Sequence, residues 1–374
     1  MPDPTPHPER PIGPLGHPLS PQGRPLNIAV LGLGQMGLVC AWLLASTDRA
    51  RGTGERPTPR VTMWGHDPAE SGVIAQSRAS RRLPGLHLPE SVRIAMRDED
   101  LEGADLVVCA VPAQHIRETM TRLGPVLGDR SAVLSVAKGI EVETLCRPTQ
   151  VIREVLAGDR DDPNRPVGVL SGPTIAAELA RGLPATMVVA DNSGQGAAPI
   201  APAIQQIFST SWLRVYTHDD LVGVELAGAT KNVIALAAGM LDGLAAGFNA
   251  KSALLARGLA EITRLGTTMG AAAETFFGVA GVGDLATTCF SPEGRNRSCG
   301  EALGKGQTLG EYLEQSPFVV EGVETTRSVV DLAKRHGVEM PITEAVHAVL
   351  FEDLDPLHAI SRLMSRELKA ERVG

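Results

Sequence analysis

Short apolar runs alternate with longer segments of helical spacing through the first half of the chain. The runs are rich in valine, leucine and isoleucine and are continuous rather than alternating with polar residues. Such runs predict strands buried on both faces of a mostly parallel sheet, with helices between them. The predicted strands are Asn27–Leu31, Val61–Trp64, Leu106–Val111, Ala132–Ala137, Val167–Leu170, Thr186–Ala190 and Leu213–Tyr216.

After about residue 217 the apolar positions recur at helical spacing, and no further strand is predicted. A long helix is expected to begin at Asp219 or Asp220, which are typical helix-starting residues, and to continue through Leu241. The pattern therefore predicts a mostly parallel α/β domain at 27–216, followed by an all-α domain at 217–374. Further helices are predicted at 252–269, 297–304, 323–336, 342–352 and 355–369.

The composition is that of a globular protein long enough for two domains, with 374 residues, 43% hydrophobic and 21% charged. Residues 1–26 differ, because nine of them are proline and few are bulky and apolar. We expect a disordered proline-rich tail there, without the apolar core of a signal peptide. The apolar stretch at 232–248 is interrupted by Asp242, which favours a buried helix over a membrane span.

Charge and cysteine content exclude several classes of function. The net charge is −8 and aromatic residues make up only 3%, which disfavours binding of nucleic acid. The cysteines are odd in number and form no CxxC pair, which predicts neither a disulfide framework, nor a zinc site, nor any other metal centre. Their positions fit a reducing cytoplasm, and the first two lie in apolar segments as expected core residues. They are Cys40, Cys109, Cys146, Cys289 and Cys299.

The most informative motif is the GxGxxG sequence at residues 32–37, which follows the first predicted strand and opens an apolar helix. Gly32 permits the tight turn, Gly34 allows the backbone to approach phosphates, and Gly37 lets the helix lie close to the strand. The N–H groups and dipole of that helix suit a pyrophosphate. The motif predicts a Rossmann-type dinucleotide-binding domain, the alternative being an ordinary glycine-rich turn between strand and helix.

The end of the second predicted strand bears on the choice of cofactor. NAD-selective sites often place an acidic residue there to bind the ribose hydroxyls. Here His66 follows Gly65, and a histidine is not an obligate anion; when protonated it can face a 2′-phosphate, which favours NADP. Asp67 lies one residue later and keeps NAD open. The alternative for His66 is a surface turn.

Two other predicted strands end in residues suited to a ligand, which in open α/β sheets binds beyond the carboxyl ends of the strands. Lys138 directly follows the fourth predicted strand, and the loop Ser171-Gly172-Pro173-Thr174 leads into a predicted helix at 175–180. A solvated loop lysine and a helix-capping threonine remain equally open alternatives.

The second half carries a lysine, Lys231, beside Asn232 inside an otherwise apolar helix. Burial among small residues lowers the pKa of a lysine and suits it to proton transfer. The alternative is a lysine at a helix edge that extends its ammonium to solvent.

Downstream, the glycine-rich segment 278–285 is expected to be a flexible turn leading to Asp284, a candidate carboxylate partner for the lysine. Arg295 and Asn296 follow Gly294, and such residues hold phosphate by charge-assisted hydrogen bonds. An ordinary surface loop is the alternative for this segment.

In this order, from about residue 27 to the end, the motifs resemble the soluble bacterial NAD(P)-dependent glycerol-3-phosphate dehydrogenases. The resemblance implies reversible reduction of dihydroxyacetone phosphate to sn-glycerol 3-phosphate for phospholipid synthesis, with NADP or NAD as cofactor. It implies a phosphorylated triose as the small-molecule substrate, without nucleic acid or stable membrane insertion, and the apolar helical half favours a homodimer. The matching segments are Trp64-Gly65-His66-Asp67, Ala137-Lys138-Gly139, Ser171-Gly172-Pro173-Thr174, Thr230-Lys231-Asn232-Val233, Gly283-Asp284-Leu285, Arg295-Asn296-Arg297, Val320-Glu321-Gly322 and Glu339-Met340-Pro341-Ile342-Thr343.

The resemblance also implies roles for individual residues, with Lys231 as the catalytic acid/base and no metal ligands. The implied substrate contacts are Lys138, Gly172, Thr174, Lys231, Asp284, Thr288, Gly294, Arg295 and Asn296. The implied cofactor contacts are Gly32, Gly34, Gln35, Met36, Gly37, His66, Lys138, Ala176, Arg295, Val319 and Glu321.

The chain departs from the family pattern at three places. Gln35 and Met36 stand where serine or alanine and then an aromatic residue are common, and Gly294 stands where serine is frequent. The tail at 1–26 and an insertion at about 47–60 are additional.

Two other functions remain as alternatives. The glycine motif is closer to that of β-hydroxyacid dehydrogenases, although the loop at 171–174 and the later Gly-Asp-Leu and Arg-Asn-Arg segments favour a phosphorylated triose. A non-catalytic NAD(P)-sensing protein also requires the glycine motif, but it has no need of Lys231 with Asp284.

Overall fold

The structure is a computed structural model, and it describes residues 24–46, 48, 57–128, 131–157, 165–316, 318–368 and 370. The predictions for the tail up to residue 23 and for most of the 47–60 insertion lie outside the described residues.

The first half of the described chain contains an eight-stranded sheet, whose strands lie in the order β3-β2-β1-β4-β5-β6-β7-β8. All neighbouring strands are parallel except β6 and β7, so the predicted mostly parallel sheet is confirmed. Leu31 at the end of β1 pairs with Trp64 of β2 and with Cys109 of β4, so these carboxyl ends share one edge. The strands are β1 (Asn27–Leu31), β2 (Arg60–Trp64), β3 (Arg93–Ile94), β4 (Leu106–Cys109), β5 (Ala132–Ser135), β6 (Val167–Ser171), β7 (Ala185–Asp191) and β8 (Leu213–His218).

Helices cover both faces of the sheet because its strands are apolar on both sides. Ile28 and Val30 belong to one core cluster, whereas the alternate residues Ala29 and Leu31 belong to another. The first cluster includes residues of α1, α5 and α6, and the second includes residues of α3 and α4. The helices of this half are α1 (Gln35–Ala45), α2 (Pro68–Ser77), α3 (Ile116–Leu123), α4 (Pro148–Ala157), α5 (Ala176–Ala180) and α6 (Ala201–Phe208).

The second half is helical, as predicted, and is organised around one buried helix, α7. Asp220 caps this helix by accepting a hydrogen bond from the backbone N–H of Gly223 at 2.8 Å, which confirms the predicted start. The helices are α7 (Leu221–Gly243), α8 (Gly247–Thr268), α9 (Ala273–Phe277), α10 (Asp284–Phe290), α11 (Arg295–Gly304), α12 (Leu309–Gln315), α13 (Glu321–His336), α14 (Pro341–Phe351) and α15 (Pro356–Met364).

Small residues allow α7 to pack closely against its neighbours. A Cβ at Gly239 would lie 1.9 Å from the Arg297 carbonyl oxygen, and one at Gly300 would lie 2.0 Å from that of Leu236. By length and composition α7 could cross a membrane, but 94% of its most apolar stretch is buried inside the fold. It is therefore a core helix of this structure, as the sequence indicated for this apolar stretch.

Several predicted details are wrong. The segment expected to be a flexible turn before Asp284 is a π-helical turn, Val279–Gly283, that runs directly into α10. A Cβ at Gly281 would lie 2.1 Å from the Phe276 carbonyl oxygen, so this glycine permits close packing rather than flexibility. The two-residue strand β3 was not predicted, because so short a segment carries no periodic signal.

The ends of several elements also differ from their predicted positions. Strands β4 and β5 each end two residues earlier than predicted, and α8 begins five residues earlier than predicted. Cys40 and Cys109 are buried in the core as expected, and the described cysteines are all free. The domain division between residues 216 and 217 stays a prediction.

Candidate active site

A cavity of about 740 Å³ lies at the carboxyl edge of the parallel strands, between the sheet and the helical half. Turns that follow the strands line one side of it, and residues of α7, α10 and α11 line the other. Gly37 and Gly172 do not line the cavity. The expected site residues that do line it are Gly32, Gly34, Gln35, Met36, His66, Lys138, Thr174, Ala176, Lys231, Asp284, Thr288, Gly294, Arg295, Asn296, Val319 and Glu321.

The three glycines of the first turn have distinct surroundings. Gly32 has a φ of +110°, and a Cβ there would lie 2.7 Å from the Ala110 carbonyl oxygen. A Cβ at Gly37 would lie 2.0 Å from the carbonyl oxygen of Gly32, so this glycine serves the close packing of α1. A Cβ at Gly34 would meet no atom within 4 Å, which leaves open space on the cavity side. The turn and the uncapped start of α1 thus fit the pyrophosphate of a dinucleotide.

The turn after β2 carries the two candidate residues for binding the ribose, and only one of them lines the cavity. His66 is exposed and lines the cavity, whereas Asp67 does not line it. The Asp67 carboxylate caps α2 instead, accepting a hydrogen bond from the backbone N–H of Ala69 at 2.8 Å. Asp67 therefore serves the start of α2 and is not brought to the cavity, and the preference between NADP and NAD stays a prediction.

Glu70 and Arg82 are among the charged residues at this end of the cavity that sequence reasoning missed. Glu70 of α2 and Arg82 of the following loop both line the cavity and form an ion pair, with Arg82 Nε 2.7 Å from Glu70 Oε1. No motif spacing marked Arg82, because a fifteen-residue segment of irregular backbone between α2 and β3 brings it to the site.

A buried carboxylate joins two lysines at the centre of the cavity. Asp284, at the start of α10, is 1% exposed, and its Oδ1 lies 2.9 Å from Lys231 Nζ. Its Oδ2 accepts a hydrogen bond from Lys138 Nζ at 2.8 Å. Lys231 itself is 5% exposed, so it is not the solvated edge lysine of the alternative interpretation. Two cations and one anion leave this cluster with a net positive charge.

The two ammonium groups differ in their remaining partners. Lys138 Nζ also donates to the Gly172 carbonyl oxygen at 2.9 Å and to Thr174 Oγ1 at 3.2 Å, so three acceptors occupy its three protons. Lys231 Nζ donates to the hydroxyl of Thr288 besides its pairing with Asp284. Lys231 thus keeps a proton that these contacts do not use.

The pKa of Lys138 is lowered to about 8, mainly by burial, with the positive charges of Lys231 and Arg295 acting in the same direction. The negative charge of Asp284 raises the pKa of Lys138 and so favours its charged form. The Lys138 turn is held against α7 by Asn232, whose Nδ2 donates to the Lys138 carbonyl oxygen at 3.0 Å. Asn232 is therefore a structural support for this turn.

The start of α11 brings a cation and an amide to the cavity wall. Arg295 donates through Nη1 to the Val319 carbonyl oxygen at 3.3 Å. Asn296 Oδ1 accepts the backbone N–H of Gly322 at 2.9 Å, which ties α11 to α13. A Cβ at Gly294 would lie 3.0 Å from the Thr288 carbonyl oxygen, so a serine here would require its neighbours to shift.

Glu321, at the start of α13, lines the cavity beside the turn that follows β5. Burial raises the pKa of its carboxyl to about 7, against the opposing charge of Arg295 and a hydrogen bond from the Ala113 backbone N–H. A Cβ at Gly139 would lie 3.0 Å from Glu321 Oε2, so Gly139 makes room for this carboxyl group. Among the described residues, no cluster of three or more His, Cys, Asp and Glu is arranged to hold a metal ion.

Family models match nearly the whole described chain. Residues 27–197 match the model of the NAD-dependent glycerol-3-phosphate dehydrogenase N-terminus, and residues 220–361 match that of its C-terminus. A glycerol-3-phosphate dehydrogenase [NAD(P)+] of Salinibacter ruber is 43% identical over 92% of this chain and 96% of its own length. One of Citrifermentans bemidjiense is 41% identical over 93% of this chain and 99% of its own length.

Similar solved structures also include a glycerol-3-phosphate dehydrogenase. The crystal structure of glycerol-3-phosphate dehydrogenase from Coxiella burnetii is 33% identical to this chain and superposes with a TM-score of 0.83. The match covers 91% of this chain and 99% of that structure. These comparisons favour the glycerol-3-phosphate dehydrogenases over the β-hydroxyacid dehydrogenases.

Proposed function

The chain belongs to the NAD-dependent glycerol-3-phosphate dehydrogenase family, and we propose that it reversibly reduces dihydroxyacetone phosphate to sn-glycerol 3-phosphate with NADP or NAD. The observation that carries the proposal is the buried ion pair of Lys231 with Asp284, set in a cavity that also contains a dinucleotide-type glycine turn and Arg295. The product is the backbone of glycerophospholipids, so the reaction supplies their synthesis.

The first turn and the walls of the cavity would hold the cofactor. Gly32 and Gly34 would receive its pyrophosphate at the start of α1, and Met36 would cover an apolar part of it. Ala176, Val319 and Glu321 line the same space farther along. When bound, the reduced nicotinamide supplies a hydride to the ketone carbon.

Lys231 is the proposed general acid in the direction of reduction. Its ammonium group retains a proton beyond those used on Asp284 and Thr288, and that proton passes to the ketone oxygen as the alcohol forms. In the reverse direction the neutral amine takes the proton from the alcohol. Asp284 orients Lys231 and pairs at the same time with Lys138, so both ammonium groups are held by one carboxylate.

Arg295 and Asn296 are the proposed phosphate ligands, and Lys138 and Thr174 would contact the rest of the substrate. Gly172 does not line the cavity, so its proposed role is to hold Lys138 through its carbonyl oxygen. A guanidinium pairs with phosphate through bidentate, charge-assisted hydrogen bonds. Binding energy from this remote group then fixes the reacting carbon in place, which is how a small substrate is held for proton and hydride transfer.

We also propose that the enzyme acts in the cytoplasm, as a homodimer that is not inserted in a membrane. The burial of α7 inside the fold supports the absence of membrane insertion. Phe248 and Met364 are large apolar side chains exposed at 82% and 80% in the helical half, where we place the contact between the two copies.

Gly34→Ala is expected to fold and to weaken cofactor binding by about tenfold or more, because a methyl group would stand between the turn and the phosphates. Gly37→Ala is the matched control with the opposite expectation. It is expected to lower the melting temperature strongly, because its Cβ would lie 2.0 Å from a backbone oxygen. Cofactor titration and thermal unfolding of both variants check this, and unchanged affinity in Gly34→Ala would contradict the placement of the pyrophosphate.

Arg295→Ala is expected to raise the KM for dihydroxyacetone phosphate by about tenfold or more, since it removes a charge-assisted phosphate contact. Arg297→Ala is its control on the same helix, because Arg297 pairs with Asp242 at 2.6 Å outside the cavity. Steady-state kinetics should show the KM change only in the first variant. A normal KM in Arg295→Ala would place the phosphate elsewhere.

The proposed activity is tested by following loss of the reduced nicotinamide absorbance with dihydroxyacetone phosphate and each reduced cofactor. We expect turnover with this substrate and none with small 3-oxoacids of similar size. A preference for the 3-oxoacids would favour a β-hydroxyacid dehydrogenase. Tight cofactor binding without turnover of any of these substrates would favour a sensing protein.

A further inference from the structure

The cavity extends past the glycine turn to an end that the proposed chemistry does not use. Strand β1 lies between β2 and β4, and the lysine pair lies on the β4 and β5 side. Because the reacting half of a dinucleotide must lie near Lys231, its other half must extend over the carboxyl end of β2. The adenosine ribose therefore falls among the residues that follow β2.

Charged residues line this end. His66 comes from the turn after β2, Glu70 from α2 and Arg82 from the loop after α2. Glu118 and Arg122 come from α3. Arg122 is already engaged, because Asp98 accepts from its Nε at 2.8 Å and from its Nη2 at 3.0 Å. Its guanidinium also lies 5.1 Å from the ring of Trp64. Arg122 is thus held by a carboxylate, Asp98, that does not line the cavity.

Arg82 is placed differently, because its partner Glu70 also lines the cavity. Glu70 accepts from Arg82 Nε at 2.7 Å and from Nη2 at 3.2 Å, which leaves the two Nη1 protons outside this pair. Gln35, the first residue of α1, donates through Nε2 to the Arg82 carbonyl oxygen at 2.8 Å. Gln35, one of the residues at which the sequence was expected to depart from the family pattern, thus holds Arg82 beside the start of α1.

We propose that Arg82 recognises a 2′-phosphate on the adenosine ribose, and that Glu70 is the internal anion that holds the guanidinium and competes with that phosphate. This inference rests on the proposed use of a nicotinamide dinucleotide. A guanidinium is the side chain best matched to a phosphate. Asp67, the acid among the described residues directly after β2, caps α2 with its Oδ1 and does not line the cavity.

The probes that separate these roles are 2′,5′-ADP and 5′-AMP, which differ only in the 2′-phosphate. Their dissociation constants are measured by isothermal titration calorimetry on the full chain and on three variants. Arg82→Gln removes the proposed contact, and Arg81→Gln removes the same charge from an exposed neighbour that does not line the cavity. Glu70→Gln removes the competing anion while keeping a similar shape.

We expect Arg82→Gln to weaken binding of 2′,5′-ADP by about tenfold or more, with little change for 5′-AMP. Arg81→Gln is expected to bind both probes as the unmodified chain does, and Glu70→Gln is expected to bind 2′,5′-ADP more tightly. Unchanged 2′,5′-ADP affinity in Arg82→Gln, or an equal loss in Arg81→Gln, would overturn the assignment of Arg82. Weaker 2′,5′-ADP binding in Glu70→Gln would overturn the proposal that Glu70 competes with the 2′-phosphate for Arg82.

The same titrations with NADPH and NADH distinguish this inference from the proposed function. An unmodified chain that binds neither dinucleotide would contradict the proposed function itself. A chain that binds both, but whose preference is the same in Arg82→Gln as in the unmodified protein, would contradict only the inference about the 2′-phosphate.

Discussion

Replacing Lys231 with alanine is expected to lower kcat by about 10²–10⁴-fold, the usual range for loss of one acid/base group. The reason is that the ketone oxygen then has no ammonium group to receive a proton from, while Lys138 has its three protons occupied by Gly172, Thr174 and Asp284. Steady-state and single-turnover kinetics with dihydroxyacetone phosphate measure the effect. The change should lie mainly in kcat, since the proposed phosphate contacts remain.

Lys251→Ala provides the matched control for this variant. Lys251 is equally buried, at 5% exposure, and pairs with Asp242 at 2.7 Å, but it does not line the cavity. Its loss should reduce stability while leaving kcat near its original value. If Lys231→Ala turns over at a near-normal rate, Lys231 is not the acid. If both variants lose kcat equally, the loss reflects damage to the fold.

Asp284→Asn is expected to have the second largest effect, acting on both stability and pH dependence. Its side chain is 2% exposed and counters two ammonium groups, and breaking a buried ion pair costs about 3–5 kcal/mol of unfolding free energy. Asp284 also raises the pKa of Lys138 against the effect of burial. Without the carboxylate, that pKa falls below its value of about 8.

The sign of the pH effect follows from the charge of Lys138. If its cation contributes to substrate binding, kcat/KM of the unmodified enzyme falls as pH rises through about 8, and in Asp284→Asn the same fall occurs at lower pH. Asp242→Asn is the control, because Asp242 also pairs with two cations, Lys251 and Arg297, away from the cavity. If the pH at which kcat/KM falls also shifts in Asp242→Asn, or does not shift in Asp284→Asn, the proposed role of Asp284 is contradicted.

The sequence was sufficient for features that depend on local pattern. The apolar runs predicted most of the strands, because a strand buried on both faces needs no polar position. The glycine motif located the turn after β1, and the apolar helix around Lys231 predicted that this lysine is buried, which is rare for a charged residue. Each of these signals lies within a few residues of the feature it predicts.

The failures arose where a residue's role depends on distant parts of the chain. Arg82 reaches the cavity through a loop of irregular backbone, so nothing in its own neighbourhood distinguishes it from the adjacent Arg81. The glycines before Asp284 suggested flexibility, yet Gly281 packs against the backbone of Phe276. A glycine that provides freedom and a glycine that permits close contact look identical until the packing partner is known.

The central claim is that the Lys231 amine meets the ketone oxygen of a triose phosphate held by Arg295. The most direct measurement is a crystal structure of the chain with oxidised cofactor and dihydroxyacetone phosphate, a combination that cannot transfer hydride. We predict the ketone oxygen within about 3 Å of Lys231 Nζ, and the phosphate on the Arg295 guanidinium. A bound triose whose ketone oxygen lies beyond hydrogen-bond distance of Lys231 would contradict it.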